Sequence, residues 1–289
     1  MKLLFTFLAS LVVVNCYVTD VNSEINDVYN YLNTTGVLEA ERIRRLENEI
    51  DNSGQRIVGG SPSNGVPNQV GLIVTLRDGR QAVCGGVIYA DNRILTAAHC
   101  TNDGVNIARS VTVVAGSNFL FSGGTRIEAQ SVVIHPGYVP GRVAFDLAIL
   151  HIPRLTYSDD ISPAFLPWSD DINNDFVGQS VRASGYGITR DGDTITTQQP
   201  LRSVNLRVIS NAECRSTYGN VIQDHHLCTS GAGGVGICAG DTGGPLVIPG
   251  SWRDTLIGVG SFTAGRGCQA GAPSGFIRVT SFIGWIMGN

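Results

Sequence analysis

Four short strings in this 289-residue chain carry side chains able to do chemistry on a bond. Thr96-Ala97-Ala98-His99-Cys100 presents an imidazole, and Asp146-Leu147-Ala148-Ile149-Leu150 opens on a carboxylate. Gly240-Asp241-Thr242-Gly243-Gly244-Pro245 sets a hydroxyl and a carboxylate among glycines, and Ile57-Val58-Gly59-Gly60 follows Arg56. A neutral imidazole takes a hydroxyl proton at and above neutral pH, and threonine serves as a nucleophile in other folds. Metal chemistry has weaker support: there is no CxxC pair and no His–Cys cluster, so no metal site is expected. The adjacent His225 and His226 should point apart and read as a solvated loop, His135 and His151 as strand-end residues. Trp168, Trp252 and Trp285 read as packing residues.

The elements that must position these groups are short β runs between turns. Val70–Leu76, Val83–Tyr89, Val111–Gly116, Ser131–His135, Ala148–Ile152, Val204–Ile209 and Thr255–Phe262 have strand composition, and the strand-and-turn spacing suits a barrel or sandwich. Thr280–Met287 reads as a closing helix. With 43% hydrophobic and 15% charged residues the chain is too apolar for disorder. A net charge of −4 argues against nucleic-acid binding through a basic surface. The 36 glycines carry no three-residue period, which excludes collagen.

Lys2 leads into an apolar run, Leu3–Val14, too short to span a bilayer and placed as a secretory signal, with cleavage near Cys16. No later stretch has the length and apolarity of a membrane anchor, so no membrane contact is expected once the signal is gone. Residues 17–56 then form a distinct segment with eight acidic residues and no cysteine. Within it, Glu39–Ile50 reads as a helix with Ile43, Leu46 and Ile50 on one face. Asn33-Thr34-Thr35 is a glycosylation acceptor by pattern. The turn-rich stretch before Arg56 suits a cleavable tip; a permanent surface helix on a linker is the other reading. Cys84, Cys100, Cys214, Cys228, Cys238 and Cys268 remain after the signal, an even number that suits an oxidising compartment and allows 15 pairings. All basic residues except Lys2 are arginine. That fits an alkaline fluid, in which lysine loses its charge near pH 10.4 and arginine does not; codon bias or drift gives the same composition.

In their order along the chain, Ile57–Gly60 first, and with six fitting cysteines, the four strings resemble the trypsin/chymotrypsin family of secreted serine endopeptidases over Ile57 to the C-terminus. The resemblance implies an all-β fold of two six-stranded antiparallel barrels, about 57–167 and 168–289, with a C-terminal helix. It implies a signal peptide at 1–16, an activation propeptide at 17–56 and a peptidase domain at 57–289. His99 matches the general base, Asp146 the carboxylate that orients it, and Ser261 the hydroxyl supporting that carboxylate. Backbone N–H groups of Gly240 and Thr242 match the oxyanion hole. The implied bridges are Cys84–Cys100, Cys214–Cys228 and Cys238–Cys268. Cutting after Arg56 frees the Ile57 ammonium to pair with Asp241, since neither charge is affordable buried alone. Arg56 implies a trypsin-like activating protease. No cofactor is implied, and a monomer is the family default.

The departure is Thr242, where the family has serine. The hydroxyl is kept, but a β-branched residue has restricted χ1, and its methyl group must find room in a crowded site, towards the Cys84–Cys100 bridge. The expectation is strongly reduced activity. The competing reading is a silent homologue that binds peptides or proteinaceous inhibitors as a decoy. An immune cofactor homologue is disfavoured, because the amino-terminal segment has no cysteine. Gly236 falls at the base of the specificity pocket, with Thr263 and Ser274 as walls. Without a carboxylate there, protein or peptide substrates with uncharged side chains are expected. Gly267-Cys268-Gln269 and Pro273-Ser274-Gly275-Phe276 look most like insect digestive chymotrypsins of the collagenase-like group, which suits an alkaline gut lumen.

Overall fold

The computed structural model describes residues 28–52, 66–187 and 201–289. The signal segment, the Arg56–Ile57 junction and the Ile57-Val58-Gly59-Gly60 string lie outside the described residues.

The first sheet contains β1 (Gln69–Thr75), β2 (Gln81–Ala90), β3 (Arg93–Thr96), β4 (Ser110–Ala115), β5 (Thr125–Glu128), β6 (Ser131–Ile134) and β7 (Ala148–His151). Its spatial order is β5-β4-β1-β2-β3-β7-β6, antiparallel throughout. The two edges are consecutive in sequence: Ala129 N–H donates to Val111 and Gln130 N–H to His151 between them. One stretch of chain thus pairs first with β4 and then with β7, and the sheet curls into a barrel whose sixth wall is β5 plus β6. The second barrel is closed, β10-β13-β12-β11-β8-β9. It comprises β8 (Ser180–Gly185), β9 (Arg202–Ile209), β10 (His226–Thr229), β11 (Pro245–Ile248), β12 (Thr255–Phe262) and β13 (Ser274–Arg278).

Alternation builds each interior. Val70, Leu72 and Val74 of β1 point into the first barrel's core. Their neighbour Ile73 is buried too, under a helix at the other face. That helix is α1 (Val37–Asn52), entered through a π-helical turn, Leu32–Gly36. Ala40 and Ile43 recur at helical spacing and pack with Ile73, Val83, Val114 and Leu120. Gly36 lets the chain close on β2, since a Cβ there would lie 2.8 Å from Ala82 Cβ.

A third apolar cluster joins the barrels, with Val87, Leu95, Leu147 and Ile149 from one meeting Val247, Leu256, Val259 and Ile277 from the other. It also takes Ile286 of α3 (Ile283–Gly288), which follows a 3-10 turn at Val279–Phe282. Helix α2 (Asn211–Tyr218) begins at Ser210, whose side chain accepts from Glu213 N–H. Three disulfides brace the loops: Cys84–Cys100, Cys214–Cys228 and Cys238–Cys268. Among the described residues, no helix is long and apolar enough to cross a membrane.

Two expectations need correction. His226 is not in a solvated loop: it opens β10 fully buried, its Nε2 donating to Val143 O at 3.1 Å and its Nδ1 accepting from Gln223 N–H. Its ring lies 4.3 Å from that of His225, which stacks on Phe145. The reason is the second barrel's aromatic flank, which favours a neutral ring; burial pushes His226 down to about 4. Trp168 and Trp252 are not packing residues but exposed, at 71% and 78%, whereas Trp285 packs against the inter-barrel cluster.

Candidate active site

The site is built where the two barrels meet. A 3-10 turn, Ala98–Cys100, follows β3 and carries His99; Asp146 precedes β7, and Ser261 lies near the end of β12. All three are buried. Asp146 Oδ1 accepts from the His99 backbone N–H at 2.9 Å. Its Oδ2 accepts from His99 Nδ1 at 2.7 Å and from Ser261 Oγ at 2.6 Å. A carboxylate can only accept, so the imidazole proton sits on Nδ1 and leaves Nε2 with a free lone pair. Three donors on one buried carboxylate also offset its desolvation.

Thr242 sits in the turn before β11. Its carbonyl accepts from Gly85 N–H at 2.6 Å and lies 3.8 Å from Cys100 Sγ, so the Cys84–Cys100 bridge adjoins it. Gly240 has φ +91, a conformation that L side chains rarely adopt. His99 Nε2 is buried and has no hydrogen-bond partner. In this arrangement the Thr242 hydroxyl is therefore not bonded to the base.

Facing His99 instead is Tyr31, from the segment ahead of α1. The two rings are edge to face with centroids 4.8 Å apart. The Tyr31 hydroxyl is turned towards Thr242 and the Gly240 backbone without closing a hydrogen bond of good geometry. Burial pushes its phenol well up. Sequence reasoning did not find this residue, because a contact between Tyr31 and His99 leaves no local signal.

Asp241 lies behind this turn. Its carboxylate accepts from Gly187 N–H at 2.8 Å and Cys238 N–H at 3.0 Å. Close approach demands glycine at Gly185, where a Cβ would sit 2.1 Å from Asp241 Oδ1. The carboxylate borders a cavity of 260 Å³ lined also by Ser184, Arg202, Val204, Gly236 and Ile237. Desolvation lifts the Asp241 carboxyl to about 6. A carboxyl whose pKa rises on folding binds its proton more tightly in the native state. The uncut chain should therefore lose stability as pH climbs from about 4 to about 6, and should not regain it above. Melting temperatures across that window, compared with Asp241→Asn, test this: the decline should flatten in the variant. Parallel curves would place the titration elsewhere.

Gly236 and Ser274 converge. A Cβ at Gly236 would lie 2.5 Å from Ser274 Oγ, which itself accepts from Ile237 N–H at 3.1 Å. Thr263, also buried, directly follows β12, whose last pair sets Phe262 opposite Gly275. Gly236 also lines the cavity that the Asp241 carboxylate borders, and among the described residues no second carboxylate lines it. Among the described residues there is no cluster of side chains able to hold a metal ion.

A buried His–Asp–Ser relay between two antiparallel barrels defines a trypsin-like proteinase fold. The trypsin family model matches residues 57–286, and the chain belongs to that family. It is 38% identical over 224 residues to collagenase of Hypoderma lineatum, covering 77% of this chain and 82% of the relative. It is 35% identical to brachyurin of Leptuca pugilator over 80% of this chain and 96% of the relative. The solved structure of HL collagenase superposes with a TM-score of 0.71 at 36% identity, covering 81% of this chain and 98% of that one.

Proposed function

We propose that the chain is a secreted zymogen of a chymotrypsin-type endopeptidase, with a signal at 1–16, a propeptide at 17–56 and a peptidase body at 57–289. It would be cut after Arg56 by a trypsin-like protease. The observation that carries this reading is the His99–Asp146–Ser261 relay, buried beside Thr242 in a chain of the trypsin family. His99 Nε2 would take the Thr242 hydroxyl proton as the oxygen attacks a peptide carbonyl, then return a proton to the leaving amine. Asp146 holds the imidazole in the tautomer this needs. Gly240 and Thr242 N–H groups would stabilise the oxyanion, and water would release the acyl group.

The Asp241 cavity supports the activation step. It offers a half-buried carboxylate held by two backbone N–H groups, beside space for an amino terminus. Pairing with the Ile57 ammonium would lower the Asp241 pKa and remove the penalty described above.

The pocket reading rests on Gly236 and Ser274. Relatives named collagenase and chymotrypsin stand beside others named trypsin, so the names leave the choice of side chain to the pocket itself. Gly236→Asp alone should not produce arginine cleavage, because its Cβ would press on Ser274 Oγ; overpacking of this kind costs about 1–3 kcal/mol. Gly236→Asp with Ser274→Gly should accept arginine substrates. Profiling cleavage products of a mixed peptide library separates the two; equal arginine cleavage by the single variant would contradict the clash.

A silent decoy is the second reading, and one observation favours it: His99 Nε2 has no hydroxyl partner. Peptide hydrolysis by the activated chain beside Thr242→Ser, with the activating protease removed, decides between them. Turnover by both, abolished by His99→Ala, supports a working threonine. Turnover by the serine variant alone supports the decoy. An arginine-only cationic surface is consistent with work in an alkaline digestive lumen.

A further inference from the structure

The described part of the segment ahead of α1, from Val28 on, crosses the cleft and is fastened at several points. Val28 enters the apolar cluster of Val143, Ile209 and Phe262. Asn30 N–H donates to Asp103 O at 3.1 Å, Leu32 N–H donates to Asp103 Oδ2 at 2.8 Å, and Asn106 Nδ2 donates to Asn30 Oδ1 at 3.0 Å. Asp103 stands four residues past His99, so the anchor and the base share one loop. Between these fastenings Tyr31 covers the His99 ring, and Leu32 and Val37 bury themselves in the first barrel's core. Further on, Glu47 is buried with its carboxylate accepting from Leu120 and Phe121 N–H, and Arg44 lies 4.4 Å over the Phe121 ring.

We propose that Val28–Asn52 is a built-in inhibitor of this cleft, with Tyr31 seated on His99, and that scission after Arg56 does not by itself open the site. The inference deepens the zymogen reading and rests on it. Residues 17–56 contain no cysteine, so nothing covalent retains the cut peptide; the contacts above must do so. Cutting replaces an intramolecular partner at high effective concentration by a free peptide. The cleaved complex should therefore persist when concentrated and open on dilution or on digestion of the peptide. Full opening then has two requirements, a new amino terminus for Asp241 and departure of Tyr31 from His99.

The test avoids turnover. Full-length protein, uncut and cut after Arg56, is treated with diethyl pyrocarbonate, and carbethoxylation of His99 is followed by peptide mass spectrometry. Native mass spectrometry of the cut sample reports whether peptide 17–56 remains attached. His99 should react slowly in the uncut chain and in the cut complex, and at least about ten times faster in Tyr31→Ala. Tyr31→Phe, which keeps the ring, should stay protected. Melting temperatures within a few degrees of wild type would show that Tyr31→Ala leaves the barrels folded. Equal His99 reactivity in wild type and Tyr31→Ala would overturn the plug, and so would loss of the peptide on cutting at high concentration. Failure of a trypsin-like protease to cut at Arg56 would count against the zymogen reading alone, because protection in the uncut chain is read separately.

Discussion

Replacing Thr242 by serine should raise kcat by about 100-fold or more once the chain is cut and its amino-terminal peptide removed. The carbonyl of Thr242 is fixed by Gly85 N–H, and the Cys84–Cys100 bridge closes one side. A β-branched residue on so constrained a backbone has few χ1 choices. The rotamer that aims oxygen at His99 must also place a methyl group in the packed turn. A displacement on the order of 1 Å in a reacting atom costs about 100-fold, and complete loss of a triad nucleophile costs about 10⁶ in kcat. The gain from serine should fall between those limits. Burst kinetics with an ester substrate provide the measurement, because the burst amplitude counts acylated sites. If threonine and serine forms turn over equally, the methyl group is accommodated and the geometric argument fails.

Asp146→Asn should cost about 10⁴ in kcat when made in the Thr242→Ser background, the magnitude associated with this type of triad. The residue holds His99 through its backbone N–H and through Nδ1, and it takes the Ser261 hydroxyl as well. An amide would put an N–H₂ donor among these donors. The lowest-cost remedy is to flip the imidazole tautomer so that Nδ1 accepts. Nε2 would then carry the proton and could no longer act as base. Rising pH should not restore the lost activity, because no proton needs to leave. A drop below about 10-fold would mean that Asp146 serves packing rather than tautomer control.

Much of the fold was legible because β-branched and aliphatic residues recur in short runs bounded by turn residues. Ser131–Ile134, Ala148–His151 and Thr255–Phe262 coincide with the expected runs to within a residue. The pattern did not single out β5, β8, β10, β11 and β13, which are four to six residues long and, β5 apart, carry glycine, proline or histidine. Helix α2 carried a usable local signal, Ser210 three residues before Glu213. The expected helix at Glu39–Ile50 extends to Val37–Asn52.

The sequence by itself determined the family, because four short strings in fixed order, with six cysteines, match a defined catalytic frame. It also determined the chemical identity of the odd residue, Thr242, since that identity requires no geometry. Only the tertiary structure decided that one Asp146 oxygen takes both His99 Nδ1 and Ser261, that Ser274 Oγ occupies the space beside Gly236, and that Tyr31 lies on His99. These are contacts between residues 38 to 115 positions apart. Local propensity and periodicity act within a few residues, whereas such contacts are set by how two barrels and a helix share one interface.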